Sequence, residues 1–294
     1  MLHQEIKTYS LEGRSDFSPH FSMKKMEDLF RKTADKKPVP HRHDYYNIYY
    51  VEKGSGKHII DFMEYEVTDR QLYFVLPGQM HQLSFNEEPK GRVVSFTEEF
   101  LIKNAIPEYM INDIYLFDDY GQSPPLPINE DSVPIYGRLF DQIELFSATL
   151  DKYTLEAVGA LLKLLLIQSN NNCSLYKSDD PQFIESTNHM LRSFKQLLNK
   201  HYAESHMVGD YADKLAVTPD YLNKTVKSIT GRTAKDLIQS KLITEAKRSL
   251  VFSTLSNKEL AYALGFDESA HFNNFFKKNT GQTPVEFRQS LLLS

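Results

Sequence analysis

The chain has one cysteine, Cys173, among 294 residues, and no tryptophan. A single thiol excludes a disulfide framework and any zinc site built on paired cysteines. Cys173 follows Asn170-Asn171-Asn172 and reads as an inert thiol. Long apolar runs are also lacking. The longest, Leu161 to Ile167, is broken by Lys163 and falls far short of the roughly 20 residues a membrane-spanning helix needs. The opening Met1-Leu2-His3-Gln4-Glu5 has no basic-then-apolar leader pattern. No membrane partner and a cytoplasmic location are expected. An excess of positive charge is missing too, since the net charge is −5. That argues against nucleic acid only until the chain is split. From Phe183 onward there are 15 Lys and Arg against 11 Asp and Glu, so the tail carries +4 and the rest −9. A modestly basic tail on an acidic body points to a nucleic-acid contact through the tail alone.

What the tail does contain is a repeat. A shift of 50 superposes Asn223 on Asn273, Lys227 on Lys277, Thr230 on Thr280 and Gly231 on Gly281. Upstream the shift is 49, pairing Ala212 with Ala261 and Leu215 with Leu264, so the second copy has one residue added at its turn. Each copy reads as a short helix, a tight turn, a second helix and a glycine stop. In copy one Thr218 caps the second helix, Pro219 takes its first position, and Gly231 ends it. Leu222 and Val226 face inward, leaving Asn223, Lys224 and Lys227 outward. In copy two Ser256 and Glu259 form a capping box, Gly265 permits the turn, and Asp267 is the expected cap. Phe272, Phe275 and Phe276 face inward there, with Asn273, Asn274 and Lys277 outward. Thr283 to Glu286 starts a last helix, and a helix from about Thr233 to Leu250 joins the copies.

Two helix-turn-helix units on one connecting helix resemble the DNA-binding domain of the AraC/XylS family of bacterial transcription regulators. The residues that carry the resemblance are Ala261 to Phe266, Phe272, Phe275-Phe276-Lys277, Gly281 to Pro284 and Phe287-Arg288, with Tyr221-Leu222 and Gly231 to Leu237 in copy one. It covers about the last 110 residues. It implies double-stranded DNA and RNA polymerase as partners, and no catalysis. Carried over residue by residue, it puts Ser269, Ala270, Asn273 and Asn274 toward the bases, with His271 and Lys277 nearer the backbone. In copy one the corresponding set is Asp220, Asn223, Lys224 and Lys227.

Upstream, from Pro38 to about Phe96, short aromatic and β-branched segments alternate with turns at Gly54-Ser55-Gly56 and Pro77-Gly78, the pattern of a small barrel. Asp28-Leu29-Phe30 is expected to belong to a strand entering that sheet. Two-residue alternation places His41, His43, Tyr45, Asn47 and Tyr49 on one strand face. With His81 these residues are the expected effector site. The segment resembles a cupin barrel through His41-Arg42-His43, Gly54, Gly56 and Pro77 to His81. Metal cupins carry a Glu where this chain has Asn47, so no metal and no cofactor are expected. Three imidazoles at His41, His43 and His81 nevertheless suit zinc, iron or copper. The resemblance implies an organic effector. Tyr45, Tyr49 and Tyr73 suggest a sugar that stacks on them, although such residues equally fill β cores.

A helix is expected at Glu98 to Asn104, then a stiff connection, Ser123 to Pro127. Ile135, Leu139, Ile143 and Phe146 recur at helical spacing, as do Leu155, Val158, Leu162 and Leu165. The resemblance makes this pair a homodimer interface. Ser169 to Pro181 reads as a linker, and Phe183 to Tyr202 as the first tail helix. The expected fold is α+β multidomain: a cupin-like β-barrel (1–130), a helical dimerisation segment (131–170), a linker (171–182) and an all-α domain with two helix-turn-helix units (183–294). The expected function is an effector-controlled, sequence-specific transcription regulator, with activation implied by the resemblance. The competing reading is a metal-dependent cupin enzyme with a helical oligomerisation tail.

Overall fold

Ile48-Tyr49-Tyr50-Val51 is apolar at every position, and a strand with such a run must be covered on both faces. The computed structural model supplies both covers. It describes residues 7–12, 17–33, 38–107, 110, 125–149, 151–173 and 181–290, and it divides into two units, Met1–Ser174 and Leu175–Ser294.

The first unit holds two five-stranded sheets. One has the order β1 (Thr8–Tyr9), β3 (His41–His43), β8 (Met80–Phe85), β5 (Gly56–Ile60), β6 (Met63–Val67). The other runs β10 (Leu126–Pro127), β7 (Gln71–Val75), β4 (Tyr46–Lys53), β9 (Lys90–Phe96), β2 (Phe21–Lys25). Tyr49 and Val51 of β4 turn toward the first sheet, in a cluster with Ile60, Val67, Tyr73 and Val75. Ile48 and Tyr50 turn the opposite way, onto helices α3 (Val133–Ser147) and α4 (Thr154–Cys173). There they meet Tyr136, Phe140, Ile143, Val158 and Leu162, all at most 1% exposed. Each such side chain contributes about 1.5–3 kcal/mol by burial. The helix pair therefore shares one core with the sheet. On α3 the buried stripe is Tyr136, Leu139, Phe140 and Ile143, whereas Ile135 and Phe146 sit at its exposed edges.

Two local expectations change. Asp28-Leu29-Phe30 lies in a helix, α1 (Met26–Thr33), not a strand; the chain enters the sheet earlier, at β2. The expected linker is helical as far as Cys173, and a new helix, α5 (Pro181–His201), starts at Pro181. Residues 174–180 of the expected linker and Ser123-Pro124 of the stiff connection lie outside the described residues.

The second unit continues through α6 (Val208–Lys214), α7 (Pro219–Thr230), α8 (Ala234–Phe252), α9 (Asn257–Ala263), α10 (Ser269–Thr280) and α11 (Pro284–Ser290). Local chemistry sets most of these boundaries. Thr218 Oγ1 accepts from the Tyr221 N–H, Thr233 and Asp236 cap α8 reciprocally, and Ser256 with Glu259 does the same for α9. Gly231 and Gly281 end α7 and α10 at φ of 70° and 80°. The cap of α10 is Glu268 and not Asp267, and it makes no side-chain cap bond. The added residue of copy two thus lengthens the turn by one and moves the helix start along with it.

Candidate functional site

The first candidate site is made by a chain that changes sheets. His41 and His43 sit on β3 in one sheet, the chain bends at Asp44-Tyr45, and Asn47 and Tyr49 follow on β4 in the other. The five residues do not share one strand face as alternation suggested. They close one cavity from two sides instead. His41, His43, Tyr45, Asn47, Tyr49 and His81 all line a cavity of about 630 Å³. His81 arrives by pairing, since its Cα lies opposite that of His41 in the β3–β8 register. Tyr73 is not in the wall: its hydroxyl donates to the Glu66 carbonyl and Gln71 Oε1, and its ring packs on His58. The aromatic platform for a sugar therefore loses one of its three members.

Hydrogen bonding orients the imidazoles. His41 Nδ1 lies 3.0 Å from the Val39 carbonyl, so this nitrogen carries the proton and Nε2 is left as an acceptor. His81 Nδ1 lies 3.1 Å from Nε2 of His58, and its Nε2 lies 3.5 Å from the Tyr49 hydroxyl. The ligand atoms of His41, His43 and His81 all fall within 4.8 Å of one another, a donor set with the chemistry to hold a transition metal. His58 was missed by sequence reasoning. The alternation Gly56, His58, Ile60, all buried, was the available signal. The other partner missed is Ser95, whose hydroxyl donates to Asn47 Oδ1 at 2.6 Å across the β4–β9 register.

Burial pushes the His58 imidazole down to about 3 and His81 well below its usual range; for His58 the His41 charge adds to this, for His81 the other three histidines do. In the unfolded chain both titrate near 6.5, so as the pH falls below that value the unfolded state binds protons that the folded state refuses, for His58 down to about 3. Their contribution to stability is complete above pH 6.5 and is lost as the pH falls, by up to about 1.4 kcal/mol per pH unit per histidine. The full chain, followed by tyrosine near-ultraviolet dichroism, should show a lower urea midpoint for the β unit at pH 5.5 than at pH 7.5. An unchanged midpoint would reject the neutral, buried assignment.

The second candidate site is the outer face of α7 and α10. On α7, Asp220 and Lys227 are exposed, and Lys224 pairs with Asp220 at 2.8 Å, each neutralising the other. On α10, Ala270, His271, Asn274 and Lys277 are exposed, together with Lys278, which sequence reasoning did not include. Ser269 is half-buried. The two repeat-related asparagines depart from expectation. Asn223 and Asn273 are each half-buried, and each holds Oδ1 sealed from solvent without a hydrogen-bond partner. A bidentate adenine contact needs both ends of the amide. As placed, Asn273 presents one end only, so Asn274 is the amide free to make that contact.

An AraC-like ligand binding domain matches residues 29–106, and a helix-turn-helix domain matches residues 211–290. The chain belongs to the AraC/XylS family. As a member it is a DNA-binding transcription regulator with an N-terminal ligand-binding domain, and the two candidate sites fall one in each matched segment. The HTH-type transcriptional activator RhaS of Escherichia fergusonii is 24% identical over 252 residues, 85% of this chain and 87% of that protein. RhaS of Yersinia pestis (strain Pestoides F) is 24% identical over 263 residues, covering 85% and 89%. The solved structure of ToxT from Vibrio cholerae is 14% identical, covers 92% of this chain and 98% of its own, and superposes with a TM-score of 0.42, too loose to bear on either site. Both RhaS relatives are named as transcriptional activators. Among the described residues of this AraC/XylS member, no helix is long and apolar enough to cross a membrane.

Proposed function

We propose that this regulator activates transcription when a small organic effector fills the β cavity. The observation that carries the reading is the convergence of six side chains from two sheets and the bend between them, His41, His43, Tyr45, Asn47, Tyr49 and His81, on one cavity. Effector binding stabilises whichever state holds the cavity closed, and only that difference in affinity can be transmitted. The relatives named as activators support the sign of regulation. The proposed organisation keeps a sensor over 1–130, a helical segment over 131–170, a linker over 171–182 and the DNA-binding domain over 183–294. The regulator works in the cytoplasm, meets RNA polymerase at the promoter, and has no enzymatic role. Ile135, Leu145 and Phe146 on α3, with Leu155 and Leu164 on α4, are exposed apolar side chains, and they support a homodimer formed through this pair.

DNA is read by α7 and α10, joined by α8. Asn274 and Ala270 of α10 meet base edges, an adenine and a thymine methyl, while His271, Lys277 and Lys278 hold phosphates. The absent side-chain cap at Glu268 leaves N–H groups at the start of α10 for a phosphate oxygen, whereas α7 has Thr218 in that role. The test is selection of bound sequences from random DNA, with footprinting. Two major grooves about 34 Å apart should be protected by one tail domain, with an A·T-rich half-site under α10. Asn274→Ala should lose about 1–3 kcal/mol and relax preference at one position. Lys277→Ala should weaken all sequences alike and flatten the salt slope by about one unit. A G·C-rich half-site, or intact specificity in Asn274→Ala, would remove α10 as the reader in this register.

A further inference from the structure

We infer that copy one of the repeat reads a G·C base pair through Asp220 and Lys224 acting together, so that the two helix-turn-helix units select opposite base compositions. The inference rests on the reading of α7 as a groove-reading helix. It starts from where the two copies agree and where they differ. Lys227 matches Lys277, both exposed, and Asn223 matches Asn273, each half-buried with Oδ1 sealed from solvent. The two positions of α10 placed at base edges are Ala270 and Asn274. Their repeat partners in α7 are Asp220 and Lys224, which are exposed as well. Base choice therefore separates the copies at these two positions, four residues apart on one helix face.

Asp220 stands in the first turn of α7, the end that a recognition helix turns toward base edges. A lone carboxylate there would be repelled by phosphates. Lys224 offsets that repulsion: its Nζ lies 2.8 Å from Asp220 Oδ2, and the two side chains are 77% and 75% exposed. The couple is neutral, and it presents an acceptor beside a donor. An ammonium has three N–H groups. Asp220 holds one of them, which leaves two to give. The major-groove edge of a G·C pair takes both, at guanine N7 and O6, and its cytosine N4 amino group donates to the carboxylate. An A·T pair instead alternates acceptor, donor, acceptor across its edge. With Lys224 on adenine N7 and Asp220 on adenine N6, thymine O4 is left unmatched and one lysine N–H has no acceptor. G·C is thus favoured by one hydrogen bond from a charged donor. Ala270 and Asn274 bring no charge to the same places, and they suit a thymine methyl and an adenine.

The test is selection of bound sequences from random DNA by the full chain, with footprinting, for the parent and two variants. The parent should enrich a G·C pair under α7, about one helical turn from the A·T-rich half-site under α10. Asp220→Ala should move affinity and specificity in opposite directions. Binding to random-sequence DNA should strengthen several-fold at low salt, because Lys224 is released to a phosphate. Preference for G·C at that pair should fall at least several-fold, because the cytosine amino group loses its acceptor. The double variant Asp220→Ala/Lys224→Asn gives copy one the exposed pair of copy two, and should turn the enriched pair under α7 to A·T. A surface ion pair that only supports its helix would shift the thermal midpoint slightly and leave the selected sequences as they were. The proposal is overturned if the parent enriches no G·C pair under α7, or if the double variant selects the parent's sequences. Footprinting separates this proposal from the reading beneath it. Two protected grooves without a G·C preference under α7 overturn the proposal alone, whereas protection of the α10 groove alone also removes α7 as a reader.

Discussion

Replacing His81 with alanine is expected to abolish the response to effector and leave basal DNA binding intact. His81 is 1% exposed, faces the cavity beside Tyr49, and holds the Nε2 of His58 through its own Nδ1. Removing it takes away a wall of the pocket and leaves both ring nitrogens of the buried His58 without partners, a cost of about 1–3 kcal/mol. The tail is a separate unit, so its grip on DNA should not follow. His43→Ala should act alike, because His43 is 6% exposed on the same wall. His81→Gln, which keeps a polar group in place, separates loss of the pocket from loss of the fold. The measurement is promoter output and operator affinity with and without effector. An unchanged response in both alanine variants would place the effector elsewhere, and near-stoichiometric transition metal in the purified protein would instead favour the His41, His43 and His81 set as a metal centre.

The second large effect concerns the turn of copy two. Gly265 sits at φ of 78°, and a Cβ there would lie 1.8 Å from the Ala203 carbonyl oxygen. The carbonyl belongs to backbone that cannot swing aside, because the neighbouring Leu264 carbonyl accepts from His206 Nε2 at 2.8 Å and the Ser205 carbonyl from the Tyr211 hydroxyl at 2.8 Å. Gly265→Ala therefore combines left-handed strain with overpacking, and should cost about 2–5 kcal/mol and most DNA binding at physiological temperature. Copy one carries the control. Ala216, the repeat partner of Gly265 at a shift of 49, already has φ of 54°. Ala216→Gly relieves that strain against the added freedom of glycine in the unfolded chain, and should raise stability by up to about 1 kcal/mol. Thermal unfolding of the full chain reads both. A Gly265→Ala variant melting with the parent would mean that the turn does not press on Ala203.

Much of the tail is legible in the chain because its signals act within one helical turn. Thr218, Thr233 and Ser256 cap the helices they precede, and Gly231 and Gly281 stop the helices they follow, since a hydroxyl or a missing Cβ acts on amides three or four residues away. The β unit is less legible. The hairpin between β5 and β6 turns on Asp61-Phe62 at φ of 45° and 73°, where no Asn-Gly or Asp-Gly pair announces it. What holds Asp61 there is distant in sequence: its carboxylate accepts from Gln79 Nε2 and the Met80 N–H.

The same division runs through the two sites. From the chain alone come the repeat and most helix ends of the tail, because capping is a local property of neighbouring residues; the family comes from the resemblance those residues carry, and the single strand face that alternation suggests for His41 to Tyr49 does not form. Only the tertiary structure decided that His41 and Asn47 approach the cavity from different sheets, and that His58 and Ser95 stand behind His81 and Asn47. It also decided that Asn223 and Asn273 turn their oxygens inward while Asn274 stays outside. Those outcomes depend on cross-strand register and on the packing of one helix against another. Such contacts join residues tens of positions apart, and no periodicity within a single segment encodes which partner will be there.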